Sequence, residues 1–231
     1  MKKVNPILIF LTLLLGMIIF PFLPMELFHF SIDKLSSSMK ILYSFTCDLG
    51  YMIIIFLVYK EKIIKEFKEY ISNFKDNFKK SIKYYIIGFI IMVISNNLIS
   101  IFFAEASANN EEAVRTLINI YPVYMIFSVS IYAPIVEETI FRRSFKDIFN
   151  SFDNNKYVKY LYISLSGLIF GAMHILGQAS SNIDYLYVIP YASLGCAFAA
   201  LYYKTDNLFS TIILHSLHNF VAVILFLWLG V

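Results

Sequence analysis

The sequence predicts an all-α polytopic transmembrane helical bundle of about seven spans plus one amphipathic interfacial helix. Three observations predict it. Hydrophobic residues fill 59% of the 231 positions and charged residues only 15%, too few to solvate the chain as a soluble fold. Apolar runs of about 20 residues recur, each long enough to cross a hydrocarbon core of about 30 Å. The lysines collect between those runs. The chain reads as a single membrane domain over 1–231, and lipid is the expected partner. The net charge of +3 does not point to nucleic acid, because the positive residues sit in loops between spans. Cys47 and Cys196 both fall inside apolar runs and read as small buried residues, not as a disulfide framework or a zinc site.

Met1-Lys2-Lys3 precedes an apolar run from Ile7 to about Leu23. Its length, its end at Pro21 and Pro24, and the lack of a small-x-small cleavage pattern make it a first span rather than a signal peptide. Span two runs from about Ile41 to Tyr59 and carries Asp48, read as a buried hydrogen-bonding group facing a neighbouring span. Lys60 to Lys83 holds eight lysines, with Ile63, Ile64, Phe67, Ile71, Phe74, Phe78 and Ile82 recurring every three or four residues. That pattern predicts the amphipathic helix, lying on the anionic inner leaflet.

Span three covers about Tyr84 to Ala104, with Asn96 and Asn97 expected to bond across helices. Glu105 to Asn119 is polar and acidic. Span four starts near Tyr121 and continues as helix to about Phe149, and Ser151-Phe152-Asp153-Asn154-Asn155 is a turn by composition. Span five runs from about Tyr157 to Leu176, span six from about Tyr185 to Tyr203, and span seven from Leu208 to the end. Gly177 to Asp184 and Lys204-Thr205-Asp206-Asn207 are the polar turns between them. With the N-terminus cytoplasmic, the inner side takes 16 of the lysines and arginines and the outer side 3, Lys34, Lys40 and Arg115. The residues from 1 to 119 form the N-terminal spans and amphipathic helix, and the chemistry lies beyond them.

Within span four stands Ala133-Pro134-Ile135-Val136-Glu137-Glu138-Thr139-Ile140-Phe141-Arg142-Arg143. An ionisable group inside a membrane segment is costly and marks function by default. Neighbours on a helix point about 100° apart, so the two glutamates cannot share a target. Glu138 and Arg142, four apart, share a face. Pairing them leaves Glu137 free for chemistry; the bland alternative is a glutamate pair at the wet end of a helix.

The last spans also carry His174, His215 and Asn219. Spans four and five form a hairpin centred near Asn154 and Asn155, which sets Glu137 and His174 at one depth, roughly 20 Å above the inner helix ends at about 1.5 Å per residue. By the same rise His215 stands about 12 Å up span seven and Asn219 about 18 Å up. Being four apart, they share a face. A carboxylate, two imidazoles and an amide in one layer suit attack of water on an amide bond. The carboxylate acts as base, sharing the water with an imidazole, and an imidazole and an amide N–H steady the oxyanion. His218, three from His215, reads as a packing residue without a role.

These motifs resemble the CAAX-prenyl-protease and bacteriocin-processing (Abi) family of intramembrane endopeptidases. Glu137-Glu138-x-x-x-Arg142, Phe170-x-x-x-His174 and His215-x-x-x-Asn219 stand in the family's order on separate spans. The lead-in Ala133-Pro134-Ile135-Val136 and the stretch Tyr203-Lys204-Thr205-Asp206-Asn207-Leu208 match as well, so the resemblance covers about residues 120–222. It implies that Glu137 and His174 activate the water, that His215 and Asn219 hold the oxyanion, and that Glu138 and Arg142 support the site. It implies a membrane-anchored peptide or protein substrate. No cofactor is needed on this reading. Zinc on Glu137, His174 and His215 is the alternative, because two His and one Glu make a catalytic set with an open position. Arg143 stands where many members have glycine, which puts the packing of the next turn in question.

A non-catalytic membrane interaction protein, serving bacteriocin immunity or sensor regulation, is the competing function; a transporter is a weaker one, for want of inverted repeats. Richness in Lys, Ile and Asn with short loops suggests a bacterial plasma membrane.

Overall fold

The computed structural model describes residues 5–103, 106, 108–150, 152 and 155–230. Met1, Lys2, Lys3, Ala104, Glu105, Ser151, Asp153 and Asn154, which entered the sequence reading, lie outside them. Among the described residues the chain is an all-α bundle, and seven helices are long and apolar enough to cross a membrane. We number them α1 (Pro6–Leu27), α2 (Ser37–Ser72), α3 (Phe74–Phe102), α5 (Pro122–Phe149), α6 (Lys156–Ile175), α7 (Ile183–Thr205) and α8 (Phe209–Leu229). The shorter α4 (Asn109–Ile120) precedes α5. It is an integral membrane protein, and Ile, Leu and Phe side chains stand exposed along α1, α2 and α3 as a lipid-facing wall requires.

Local signals set the ends. Asn5 Oδ1 accepts from Ile7 N at 2.9 Å, and Pro6 occupies the first turn of α1, where its missing N–H costs nothing. Asn155 caps α6 through Tyr157 N and Val158 N. Asp206, in the left-handed region at φ 47°, ends α7 and turns the chain into α8. Where α6 and α7 cross, Gly167 and Gly171 let the backbones meet. A Cβ on Gly167 would stand 2.3 Å from Cys196 Sγ, and one on Gly171 2.7 Å from the Val188 carbonyl.

The span boundaries follow the hydropathy closely, but the amphipathic segment differs from expectation. Residues 60–83 are helical without forming one separate helix. The first half continues α2 past a kink at Tyr59 (φ −117°, ψ 15°), the second begins α3, and the break falls at Asn73. Asn77 secures that break by donating Nδ2 to the carbonyls of Tyr70 (3.2 Å) and Glu69 (3.4 Å). The apolar stripe divides accordingly. Ile63, Phe78 and Ile82 pack on buried clusters, while Phe67, Ile71 and Phe74 stay exposed.

Asp48 behaves as read, accepting from Tyr124 (3.0 Å) and Ser128 (3.3 Å) of α5. Asn97 does not bond across helices: its Nδ2 donates to the Val93 carbonyl one turn back at 2.8 Å, and the Asn96 carbonyl receives Ser100. From Asn109 the acidic stretch after span three forms α4. Its Asn109 is tied by Nδ2 to the Gln178 carbonyl, Ser180 Oγ and Asp184 Oδ2.

Candidate active site

The site is built on α5, and Pro134 shapes it. Residues Ser128–Tyr132 and Thr139–Ser144 are π-helical, flanking the α-helical Ala133–Glu138. In the first π turn the Ala133 N–H goes to the Ser128 carbonyl, not to Val129. The next donor at that spacing, for Val129, is residue 134, and proline has no N–H. The orphaned Val129 carbonyl accepts Asn219 Nδ2 from α8 at 2.9 Å. The second π turn repeats the device. Phe145 N–H bonds the carbonyls of Arg142 and Ile140, freeing that of Phe141, which takes Ser166 Oγ from α6 at 2.6 Å. A buried carbonyl needs a partner, so each π turn pins a helix carrying site residues.

The two glutamates separate as their helical angle requires. Glu138 is wholly buried. Its Oε2 accepts Arg142 Nε at 2.9 Å, and its Oε1 accepts Arg142 Nη2 at 3.1 Å. Arg142 also donates to Ser166 Oγ at 3.0 Å and lies 4.8 Å over the Phe170 ring. Glu137 keeps 19% of its side chain exposed and faces a cavity of about 680 Å³. His174, His215 and Asn219 line the same cavity. The sequence therefore named four groups that the fold gathers on one cavity wall.

The histidines are held by their Nδ1 atoms. His174 Nδ1 lies 2.8 Å from the Phe170 carbonyl, and its ring stacks on Tyr191 (4.6 Å, 22°). His215 Nδ1 lies 3.0 Å from Glu138 Oε1, and its Nε2 is 3.8 Å from Glu137 Oε2. A carbonyl and a carboxylate only accept, so both Nδ1 atoms carry protons and both Nε2 atoms are left for chemistry. Phe170 touches His174 (4.5 Å), His215 (5.8 Å) and Phe141 (5.6 Å), so this motif residue is the packing centre of the site. Among the described residues no three His, Cys, Asp or Glu side chains form a group that could hold a metal ion. Glu137, His174 and His215 are therefore not drawn together as such a group in this structure.

Residues 119–221 match the family described as type II CAAX prenyl endopeptidase Rce1-like. Over those residues the chain is similar to that family. Glu137, Glu138, Arg142, His174, His215 and Asn219 all lie within the matched CAAX endopeptidase region. The chain is 31% identical over 135 residues to the "Membrane-embedded CAAX protease MroQ" of Staphylococcus aureus, covering 58% of this chain and 51% of that one. It is 30% identical over 157 residues to the "Putative membrane peptidase YdiL" of Bacillus subtilis, covering 65% and 59%. The chain thus spans about half the length of these curated relatives. No solved structure matches it.

The sequence reading missed three contributors. Ser166 holds Arg142, and its signal was present, since 166, 170 and 174 repeat at four-residue spacing on one face. Tyr191 stacks on His174 from α7 without any local signature. Glu66 answers the question raised by Arg143. It pairs with that buried guanidinium and accepts Leu208 N at 2.9 Å, while Asn207 Nδ2 donates to its carbonyl at 2.8 Å. One carboxylate thereby neutralises Arg143 and caps α8, where a negative group opposes the helix dipole. Tyr59 and Tyr202 face the Arg143 guanidinium at 5.8 and 5.6 Å.

Proposed function

We propose that this chain is an intramembrane endopeptidase that hydrolyses a peptide bond of a membrane-anchored peptide or protein. The observation that carries the proposal is the convergence of Glu137, His174, His215 and Asn219 on one cavity. Glu137, the partly exposed carboxylate, takes a proton from water. His174, with Nδ1–H on the Phe170 carbonyl, presents Nε2 as acceptor for the water's other hydrogen. The hydroxide adds to the peptide carbonyl carbon. The C–N bond then breaks as Glu137 returns the proton to the leaving nitrogen. Asn219 keeps a second Nδ2 hydrogen beyond the one on Val129, available to the oxyanion. His215 donates there from Nε2 when its ring is charged, with Nδ1–H on Glu138. Glu138, Arg142 and Ser166 hold that ring in place.

The proposal sets 1–231 as one membrane unit with 120–222 as its catalytic core. It lies in a bacterial plasma membrane with a cytoplasmic N-terminus, the orientation favoured by the split of basic residues. Direct activation by Glu137 and His174 needs no cofactor, and a metal would need the ligands to rearrange.

The test is cleavage of a fluorogenic, membrane-anchored peptide library by the purified chain in liposomes, beside Glu137→Ala, with and without a strong chelator. The expected result is cleavage that survives the chelator and falls by at least about 10²-fold in the variant, the scale of a lost general base. Cleavage abolished by chelator and restored by zinc replaces the mechanism with a metal-dependent one. A folded Glu137→Ala protein that cleaves like the parent overturns the reading. So does a cellular phenotype that Glu137→Ala preserves, which would favour the interaction-protein function.

A further inference from the structure

His218 also lines the cavity that Glu137, His174, His215 and Asn219 share. It is held from outside the family-matched region. Its Nδ1 lies 3.1 Å from the Tyr85 hydroxyl of α3, and its ring meets those of Tyr85 (5.9 Å) and Phe89 (6.0 Å) edge-on.

The partners of the three cavity histidines set different tautomers. His174 faces a carbonyl and His215 a carboxylate, so a neutral ring at either place has its proton on Nδ1 and a lone pair on Nε2. Both then accept at Nε2, which suits a water to be deprotonated and not an oxyanion. Tyr85 differs, because a phenol can donate. With the hydroxyl proton directed to Nδ1, the neutral His218 ring carries its own proton on Nε2 and can only donate there. A neutral imidazole N–H can polarise a carbonyl without placing a full charge in a low-dielectric site.

We infer that His218 is a further catalytic residue, donating Nε2–H to the oxyanion of the tetrahedral intermediate, and that Tyr85 is the positioning residue that fixes its tautomer. The inference rests on the endopeptidase reading and adds a donor to it. No proton is transferred by His218: its N–H bond stays intact while the hydrogen bond strengthens as charge develops on the carbonyl oxygen.

The experiment uses the full chain in liposomes with a peptide that the parent cleaves, and compares His218→Phe, His218→Gln, Tyr85→Phe and Glu137→Ala. It measures kcat and KM, and the affinities of two uncleavable versions of the peptide. One carries a tetrahedral phosphonate at the scissile position; the other carries a planar N-methyl amide. His218→Phe should lose about 10²–10³-fold in kcat, as for one oxyanion donor, with KM near the parent value. Phosphonate affinity should fall with kcat while N-methyl amide affinity holds. His218→Gln, whose carboxamide can donate, should recover at least about 10-fold of the kcat loss. Tyr85→Phe should lose several-fold in kcat with the same selective effect on the phosphonate. A His218→Phe kcat within about threefold of the parent overturns the inference, as does equal loss of both affinities, the signature of packing damage. If His218→Phe fails to fold, His218→Gln and Tyr85→Phe decide: a kcat drop in Tyr85→Phe without any change in phosphonate selectivity overturns it. Glu137→Ala separates the two claims. If that variant is dead and His218→Phe is parent-like, only the His218 assignment falls; if Glu137→Ala cleaves normally, or the parent cleaves nothing, the endopeptidase reading falls with it.

Discussion

Replacing Arg142 by methionine should destabilise the protein by about 3–5 kcal/mol, the cost of removing one partner from a buried ion pair. Both side chains are fully buried, and two nitrogens of the guanidinium reach two oxygens of Glu138 at 2.9 and 3.1 Å. Hydrogen bonds to charged groups contribute about 1.5–3 kcal/mol each, so two give roughly 3–6 kcal/mol, consistent with that range. Methionine fills similar length over Phe170 but leaves Glu138 charged and dry. The decisive comparison is the double variant Glu138→Leu, Arg142→Met. It removes both charges together, and replacing a buried pair by apolar residues is often neutral within about 1 kcal/mol or better. Its stability should return while turnover does not, because His215 Nδ1 has lost the acceptor that orients it. The assays are reversible unfolding in mixed micelles and turnover of the liposome substrate. A single Arg142→Met variant within about 1 kcal/mol of the parent refutes the reasoning. A double variant as unstable as the two single changes summed refutes it too, because coupled partners must show an interaction energy.

Two further outcomes test the scaffold. Glu66→Ala should cost about 3–5 kcal/mol by stranding Arg143 and uncapping α8, while kcat of the folded fraction stays near the parent value, since Glu66 does not line the cavity. Mixed-micelle unfolding beside turnover checks both halves. Gly167→Ala should cost about 1–3 kcal/mol by overpacking the α6–α7 crossing. Adding Cys196→Ala should not restore it, because the new Cβ would still stand 2.7 Å from the Cys196 backbone nitrogen and 2.9 Å from the Ala192 carbonyl. Recovery of the parent midpoint in that double variant would show that the sulfur alone was the obstacle.

Most of what was legible in the sequence was local. The spans follow from apolar run lengths, and Glu138–Arg142 follows from four-residue spacing that the helix turns into contact. Asn97 was misjudged for a local reason as well: a carbonyl on its own helix, at Val93, satisfies the amide without a neighbour. The Asn73 break was hidden because the apolar period runs through it without a glycine or proline. Two pairs that lie far apart in the chain left no trace. Glu66 meets Arg143 across 77 residues and Tyr85 meets His218 across 133, and nothing in either segment announces the other. The role of Pro134 was half visible. A proline inside a span signals a disturbed hydrogen-bond ladder, but which carbonyl it frees and which side chain answers need the three-dimensional partner, Asn219.

The residues before 119 stand outside the family match, yet three of them close the polar accounts of the core. Asp48 receives Tyr124 and Ser128 at the start of the first π turn, whose freed carbonyl holds Asn219. Glu66 joins Arg143, in the second π turn of α5, to the first turn of α8, the helix that carries His215. Tyr85 fixes His218 one turn further along α8. Each contact touches α5 or α8, and between them those two helices supply Glu137, Glu138, His215 and Asn219. In an apolar solvent an unpartnered buried polar group has nowhere else to turn, so such contacts constrain register more tightly than the surrounding packing does. Relatives can therefore differ freely along the lipid-facing wall of α1, α2 and α3 while the angle between α5 and α8 stays fixed. A chain whose first half is replaced should keep its stability only if carboxylates or equivalent acceptors still meet Tyr124, Ser128 and Arg143.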